Sequence, residues 1–177
     1  MVSSNPSLWT LWREDYATHG RDSTLPGFRA LAFHRFGVWR LRVRPRILRA
    51  PLTILYRRLY RRARNRYGIE IPHSVVIGRR LRIEHQSGIV VHGSAVIGDD
   101  VILRQGVTIG NRHLDRPDDA PVIGSRVNIG SGAVILGAIT IGDDVSIGSN
   151  AVVLENVPAG STVVGPRAAI RTRNEKP

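Results

Sequence analysis

From residue 71 to about residue 164, apolar residues return every six positions, each followed by glycine: Ile77-Gly78, Ile97-Gly98, Ile109-Gly110, Ile123-Gly124, Ile129-Gly130, Ile141-Gly142 and Ile147-Gly148. A second apolar set follows four residues after these isoleucines, at Leu81, Val101, Val127, Ala133, Val145 and Ala151. Turn-forming pairs, Asp99-Asp100 and Asp143-Asp144, occupy the corner slot between them. A helix would need recurrence near 3.6 residues, which is absent. The six-residue unit predicts short strands joined by tight corners and stacked into a parallel β-helix, each coil burying its apolar side on its neighbours. A β-sandwich with coincidental spacing is the weaker reading.

Ahead of the repeat the apolar steps become helical, over Trp9 to Tyr16, Gly27 to Arg42 and Pro51 to Tyr67. The last of these lines Leu52, Leu55, Tyr56, Leu59 and Ala63 along one face, with Pro51 suited to a first helical turn. Val43-Arg44-Pro45-Arg46 reads as a break between helices. The pattern predicts a mainly β chain in three parts. Residues 1–68 form a helical, arginine-rich region, residues 69–166 a β-helix with a protruding loop at 111–120, and residues 167–177 a polar tail that frays.

Two interruptions break the six-residue beat. Ile71, Ile77 and Ile83 share one phase, whereas Val91, Ile97, Leu103 and Ile109 share another, so the register slips by two across Glu84-His85-Gln86-Ser87-Gly88. The second is the polar insertion at 111–120, after which the repeat resumes. A solenoid has no packing reason for either, so both are where function is expected.

Charge sharpens this division. The chain has 177 residues and a formal net charge of +12, yet Lys176 is its only lysine. Thirteen arginines lie between Arg29 and Arg66, a stretch without Asp or Glu, so the basicity is regional. Such a stretch reads as a solvated face, as a surface for anionic lipid headgroups, or as a nucleic-acid surface. No stacking motif supports the last, and no nucleic-acid partner is expected. There is no cysteine, which excludes disulfides, thiolate metal sites and a cysteinyl acyl-enzyme. No apolar run reaches the roughly 20 residues of a membrane span, and the N-terminus lacks a secretory signal profile. The expected location is cytoplasmic, with peripheral contact at an anionic membrane face.

Among the histidines, His85 stands in the phase slip beside Glu84, and Glu70 lies fifteen residues earlier, near one coil away. Glu70 can hold one imidazole nitrogen while the other faces a cleft, the arrangement of a general base near neutral pH. The alternative is a histidine that satisfies backbone groups at an irregular corner. His73, His92 and His113 raise zinc, which needs three or four converging ligands; they share no constant coil spacing, and no metal is expected.

The segments Ile69-Glu70-Ile71-Pro72, Ile83 to Val91 with Glu84-His85-Gln86-Ser87-Gly88 at its centre, Gln105 to Gly110 and Ile135-Leu136-Gly137 resemble the serine acetyltransferase family of hexapeptide acyltransferases. The resemblance extends upstream to Pro26-Gly27-Phe28-Arg29-Ala30 and His34-Arg35. It implies a left-handed β-helix, a homotrimer, and acetyl-CoA held between neighbouring subunits. His85 then removes the acceptor's hydroxyl proton with Glu70 supporting it. Glu84, in place of the family motif's aspartate, contacts the acceptor together with Asp22, Arg112 and His113. Gly110, Asn111, Ser131, Gly132, Ser149, Arg167 and Arg171 contact the cofactor, with Arg173 a further candidate for its phosphates.

Where serine acetyltransferases end the loop with Asp-Arg-His-Pro, this chain has Asp118-Asp119-Ala120-Pro121, lacking both side chains suited to a serine carboxylate. Pro51-Leu52-Thr53-Ile54-Leu55-Tyr56-Arg57, Ile77-Gly78-Arg79-Arg80, Gly106 to Arg112 and Val163-Val164-Gly165 are similar to the colanic-acid and exopolysaccharide O-acetyltransferase branch. That branch implies a sugar hydroxyl, on a lipid-linked acceptor, as the target; serine is the alternative acceptor.

Overall fold

The structure is a computed structural model that describes residues 6–169. Three helices precede the repeat. The first, α1 (Leu8–Thr18), starts at Ser7, whose hydroxyl accepts from the Thr10 amide at 3.1 Å. The second, α2 (Pro26–Trp39), has proline in its first turn and runs into a 3₁₀ turn at Arg40–Arg42. The third, α3 (Arg46–Tyr67), stops at Gly68 in the left-handed conformation, φ 63°.

The expected break at residues 43–46 forms over 43–45, and α3 starts earlier than expected, taking in Arg46. Pro45 caps it, accepting from the amides of Leu48 and Arg49, and Pro51 lies inside the helix instead of in its first turn. Pro51 removes one backbone bond near the helix end, a loss that the long downstream segment tolerates. Its buried face is also narrower than the apolar pattern suggested. Tyr56, Ala63 and Tyr67 are buried, Leu52 and Leu59 are half-buried, and Leu55 is exposed.

The remainder is a left-handed parallel β-helix with three faces. One face comprises β1 (Ile69–Glu70), β4 (Ile89–Val91), β7 (Thr108–Gly110), β10 (Val134–Leu136) and β13 (Val152–Val153). The second comprises β2 (Val76–Ile77), β5 (Val96–Ile97), β8 (Val122–Ile123) and β11 (Thr140–Ile141). The third comprises β3 (Arg82–Ile83), β6 (Ile102–Leu103), β9 (Asn128–Ile129), β12 (Ser146–Ile147) and β14 (Thr162–Val163). Each strand pairs in parallel with the strand one coil away.

Both apolar positions of the repeat point inward. Ile97, Ile109, Ile123, Ile129 and Ile141 are buried, as are Leu81, Val101, Val127, Ala133, Val145 and Ala151. The glycine after each isoleucine allows the coils to touch: a Cβ at Gly98 would lie 2.5 Å from the Gly124 carbonyl oxygen. The aspartate pairs serve the corners. Asp143 accepts from the Ser125 amide of the coil below at 2.8 Å, and Asp144 pairs with Arg126.

Coil length reports every irregularity. A regular step is 18 residues, as between Ser125 and Asp143. The phase slip lengthens it to 20, between Arg79 and Asp99, and the inserted loop to 26, between Asp99 and Ser125. A third irregularity went unread in the sequence: the last coil is shortened to 16 residues, between Thr140 and Asn156. Here Asn156 accepts from the Thr140 amide and closes the tighter turn.

Candidate active site

The extra residues of the phase slip form a bulged corner between β3 and β4. Ser87 and Gly88 adopt positive φ, 92° and 69°, the Ser87 amide donates to the Tyr67 carbonyl at 3.0 Å, and the Ile89 amide donates to Gly68 at the same distance. The corner is thus seated on the end of α3, at Gly68, where a Cβ would lie 2.9 Å from the Ser87 Cα. His85 is left exposed at the mouth of a groove of about 420 Å³ lined by His19, Asp22, Leu25, Arg82, Glu84 and His85. Three residues chosen from sequence, Asp22, Glu84 and His85, therefore meet although more than sixty positions separate the first from the others.

The helical region forms one wall of this groove, and a buried polar network holds it there. Arg35 donates to both Asp15 carboxylate oxygens, at 3.0 and 3.4 Å, and to the carbonyls of Ile77 and Gly78 at 2.8 and 2.6 Å. Burial pushes the Asp15 carboxyl up, and the Arg35 charge pulls back against it. His19 bonds the Asp15 carbonyl through Nδ1 at 2.7 Å, and its Nε2 accepts from the Ile83 amide at 3.2 Å. That places a neutral imidazole between α1 and the strand leading to His85. His34 Nε2 donates to the Val75 carbonyl at 3.0 Å. Burial lowers both imidazoles, His34 to about 3.

Glu84 is not a free carboxylate. Arg104, one coil further on, reaches it at 2.8 Å, and Arg82 reaches it at 3.4 Å. Asp22 accepts from the Thr24 amide at 2.7 Å and the Thr24 hydroxyl at 2.6 Å, bonds that hold its carboxyl below the ordinary range. Glu70 pairs in register with Val90, on the coil adjacent to the His85 corner. The hydrogen bond it makes is from the Tyr60 hydroxyl, at 3.3 Å. Burial, reinforced by the Glu70 charge, pushes the Tyr60 phenol up to about 12, so it stays a donor.

The other expected residues divide between two edges of the prism. Ser131, Gly132 and Ser149 lie on the edge of the His85 corner, between the third face and the first. Here Gly88, Gly106 and Gly132 stack coil upon coil, and Ser131 donates to Gln105 at 3.2 Å. Gly110 ends β7, and Asn111, Arg112 and His113 follow it on a different edge, between the first face and the second. Asn111 Nδ2 closes the base of the exposed loop on the His113 carbonyl, at 2.9 Å. A single chain therefore does not bring the loop to His85. Arg167 is exposed beyond β14, and Arg171 and Arg173 lie outside the described residues.

Of the other histidines, His73 packs edge-on against Tyr56 and faces Arg40, and His92 Nδ1 accepts from the Ser94 amide. No group of three potential metal ligands converges among the described residues. Sequence reasoning missed Arg82, Arg104, His19 and Tyr60. Arg104 alone left a signal: a cation one coil after Glu84 in a nearly neutral solenoid.

Known proteins share this fold and its repeat. The family described as bacterial transferase hexapeptide (six repeats) matches residues 120–155. The acetyltransferase WcaB of Escherichia coli strain K12, named for colanic acid biosynthesis, is 40% identical over 78% of this chain and 83% of its own. A serine acetyltransferase of Helicobacter pylori strain 26695 is 38% identical over 98% of this chain and 99% of its own. The serine acetyltransferase of Brucella abortus solved in complex with coenzyme A superposes with a TM-score of 0.76 at 30% identity, covering 93% of this chain and 68% of that one. The chain spans 62% of the length of a serine acetyltransferase solved from Entamoeba histolytica. The chain belongs to the hexapeptide-repeat O-acetyltransferases, which use acetyl-CoA as donor.

Proposed function

We propose that the protein transfers acetyl from acetyl-CoA to a sugar hydroxyl in the assembly of an exopolysaccharide or other surface polysaccharide, on an acceptor carried at a membrane face. The observation that carries this reading is Glu84 clamped between Arg82 and Arg104 in the groove beside His85. A free amino acid needs an available carboxylate for its ammonium group and cations for its carboxylate. The clamp occupies one of the groove's two carboxylates, leaving Asp22 bonded to Thr24, and the Asp118-Asp119-Ala120-Pro121 loop ending lacks the arginine and histidine suited to an amino-acid carboxylate at that place. A hydroxyl-rich neutral acceptor needs neither.

In this reading His85 takes the proton as the acceptor oxygen attacks the thioester carbonyl. The C–S bond then breaks, and the CoA thiolate recovers the proton from the imidazolium. Glu70, on the neighbouring coil and bonded by Tyr60 rather than by His85 among the described residues, lends its negative charge to the imidazolium. Ser131, Gly132 and Ser149 provide a flat edge for the CoA chain, while Arg112 and His113 act on the His85 corner of an adjoining copy in a homotrimer. The loop's location on a different edge supports that arrangement.

The test is acetyl-CoA consumption with L-serine and with a panel of nucleotide- and lipid-linked sugars. Turnover is expected on a sugar, and His85→Ala is expected to lower it by about 10²–10⁴. Efficient turnover of L-serine alone overturns the acceptor assignment, and near-normal turnover by His85→Ala overturns the role of the imidazole.

A further inference from the structure

We infer that the outward side of α3 is a docking surface for an anionic lipid bilayer. The helix is apolar on two opposite sides. Tyr56, Ala63 and Tyr67 face the protein. On the other side Ile47, Pro51 and Ile54 follow one another at helical spacing, with Leu48 and Leu55 alongside. Ile47 is 83% exposed, Leu48 57%, Ile54 55% and Leu55 46%. Single exposed aliphatics are ordinary on a protein surface, but a contiguous row of four is not.

The same side changes character along the axis. Past Leu55 it carries Arg58, Arg61 and Arg62, with Arg44, Arg46 and Arg57 flanking, all exposed. Among the described residues none of these six forms an ion pair. An aliphatic ridge joined to an unpaired arginine shoulder matches an interface with an apolar interior and an anionic surface. A second copy of this chain would set like charges against each other. A nucleic acid would leave the aliphatic row without a partner, since no aromatic side chain stands among it for stacking.

The position of the ridge relative to the groove fits this partner. Tyr67, whose carbonyl holds the Ser87 amide of the His85 corner, follows Leu55 by twelve residues, about 18 Å of helix. A helix lying in the headgroup plane would thus keep the groove near the membrane. The docking stands on the surface of α3 and not on the identity of the acceptor, because a docked enzyme still acetylates a soluble acceptor.

Flotation of the full chain with vesicles tests it. Binding to phosphatidylcholine vesicles containing roughly one-third phosphatidylglycerol is expected to exceed binding to phosphatidylcholine alone by about tenfold or more. Arg58→Ala and Arg61→Ala should each weaken it about fivefold, and added salt should release the protein. Ile47→Asp with Ile54→Asp should abolish flotation with an unchanged melting temperature, since both side chains are more than half exposed. Equal binding to both vesicles, or flotation of the double aspartate variant like the parent, overturns the inference. A fall in particle mass by light scattering in that variant also overturns it, assigning the ridge to contact between copies. So does oligonucleotide binding that survives the aspartates without vesicle binding.

Discussion

Replacing Arg35 by methionine separates the fold of the groove from its chemistry. The guanidinium and the Asp15 carboxylate are both buried, with Asp15 0% exposed and the Nε–Oδ2 distance 3.0 Å. Methionine keeps most of the volume but leaves a carboxylate without its counter-ion. Breaking a buried pair from one side costs about 3–5 kcal/mol, or roughly 6–20 °C in melting temperature for a chain of this size. Two carbonyls, of Ile77 and Gly78, also lose their charged donor.

Asp15→Leu combined with Arg35→Met should therefore recover more than half of the loss but not all of it. Urea unfolding of the four members of the cycle measures these terms. The acceptor KM reports whether the wall that carries Asp22 has moved, and it should rise further than kcat falls. A single variant within about 1 kcal/mol of the parent, or a double variant no better than the single, would refute the claim that this pair docks the helices on the solenoid.

Acid should weaken the same contact. His34 is neutral when folded because burial, with the Arg35 charge next, lowers it from 6.5 to about 3; the unfolded chain takes up a proton below 6.5. This contribution is fully present above pH 6.5 and lost on acidification toward pH 3, at about 1.4 kcal/mol per unit. His19 acts in the same direction. The urea midpoint should fall between pH 6.5 and 4.5, with a shallower slope in His34→Gln; an unchanged slope would remove His34 from the account. Gly27→Ala places a Cβ 2.4 Å from the Ile83 carbonyl oxygen and should cost about 1–3 kcal/mol by forcing α2 away from β3. A melting temperature equal to that of the parent would show that the two elements can part freely.

The β-helix was legible because its cause is local. Each six-residue unit carries its own inward pair and its own corner, so repetition alone reveals the coil, and the two longer irregularities appear as lost beats. The shortened last coil is hard to read because Val157 falls four residues after Val153 and so keeps the apolar rhythm while the step contracts. Helix α3 was misjudged at both its start and its buried face. Its propensity and apolar count are local, but which side meets the solenoid depends on where Tyr56, Ala63 and Tyr67 find partners.

For the candidate site, sequence singled out His85, Glu84 and Asp22, because chemistry-bearing residues stand out where a repeat falters or a family motif recurs. It could not show that Glu84 is neutralised by Arg104, that Glu70 is bonded by Tyr60, or that the loop with Arg112 and His113 belongs to another edge. Those relations run between coils and between helix and coil, across distances along the chain that only folding closes. The sequence by itself determined the period, the corners and the candidate base. The tertiary structure decided which charges are spent on one another and which remain to meet a substrate or a membrane, because Coulomb and hydrogen-bond energies depend on separation in space and not along the chain.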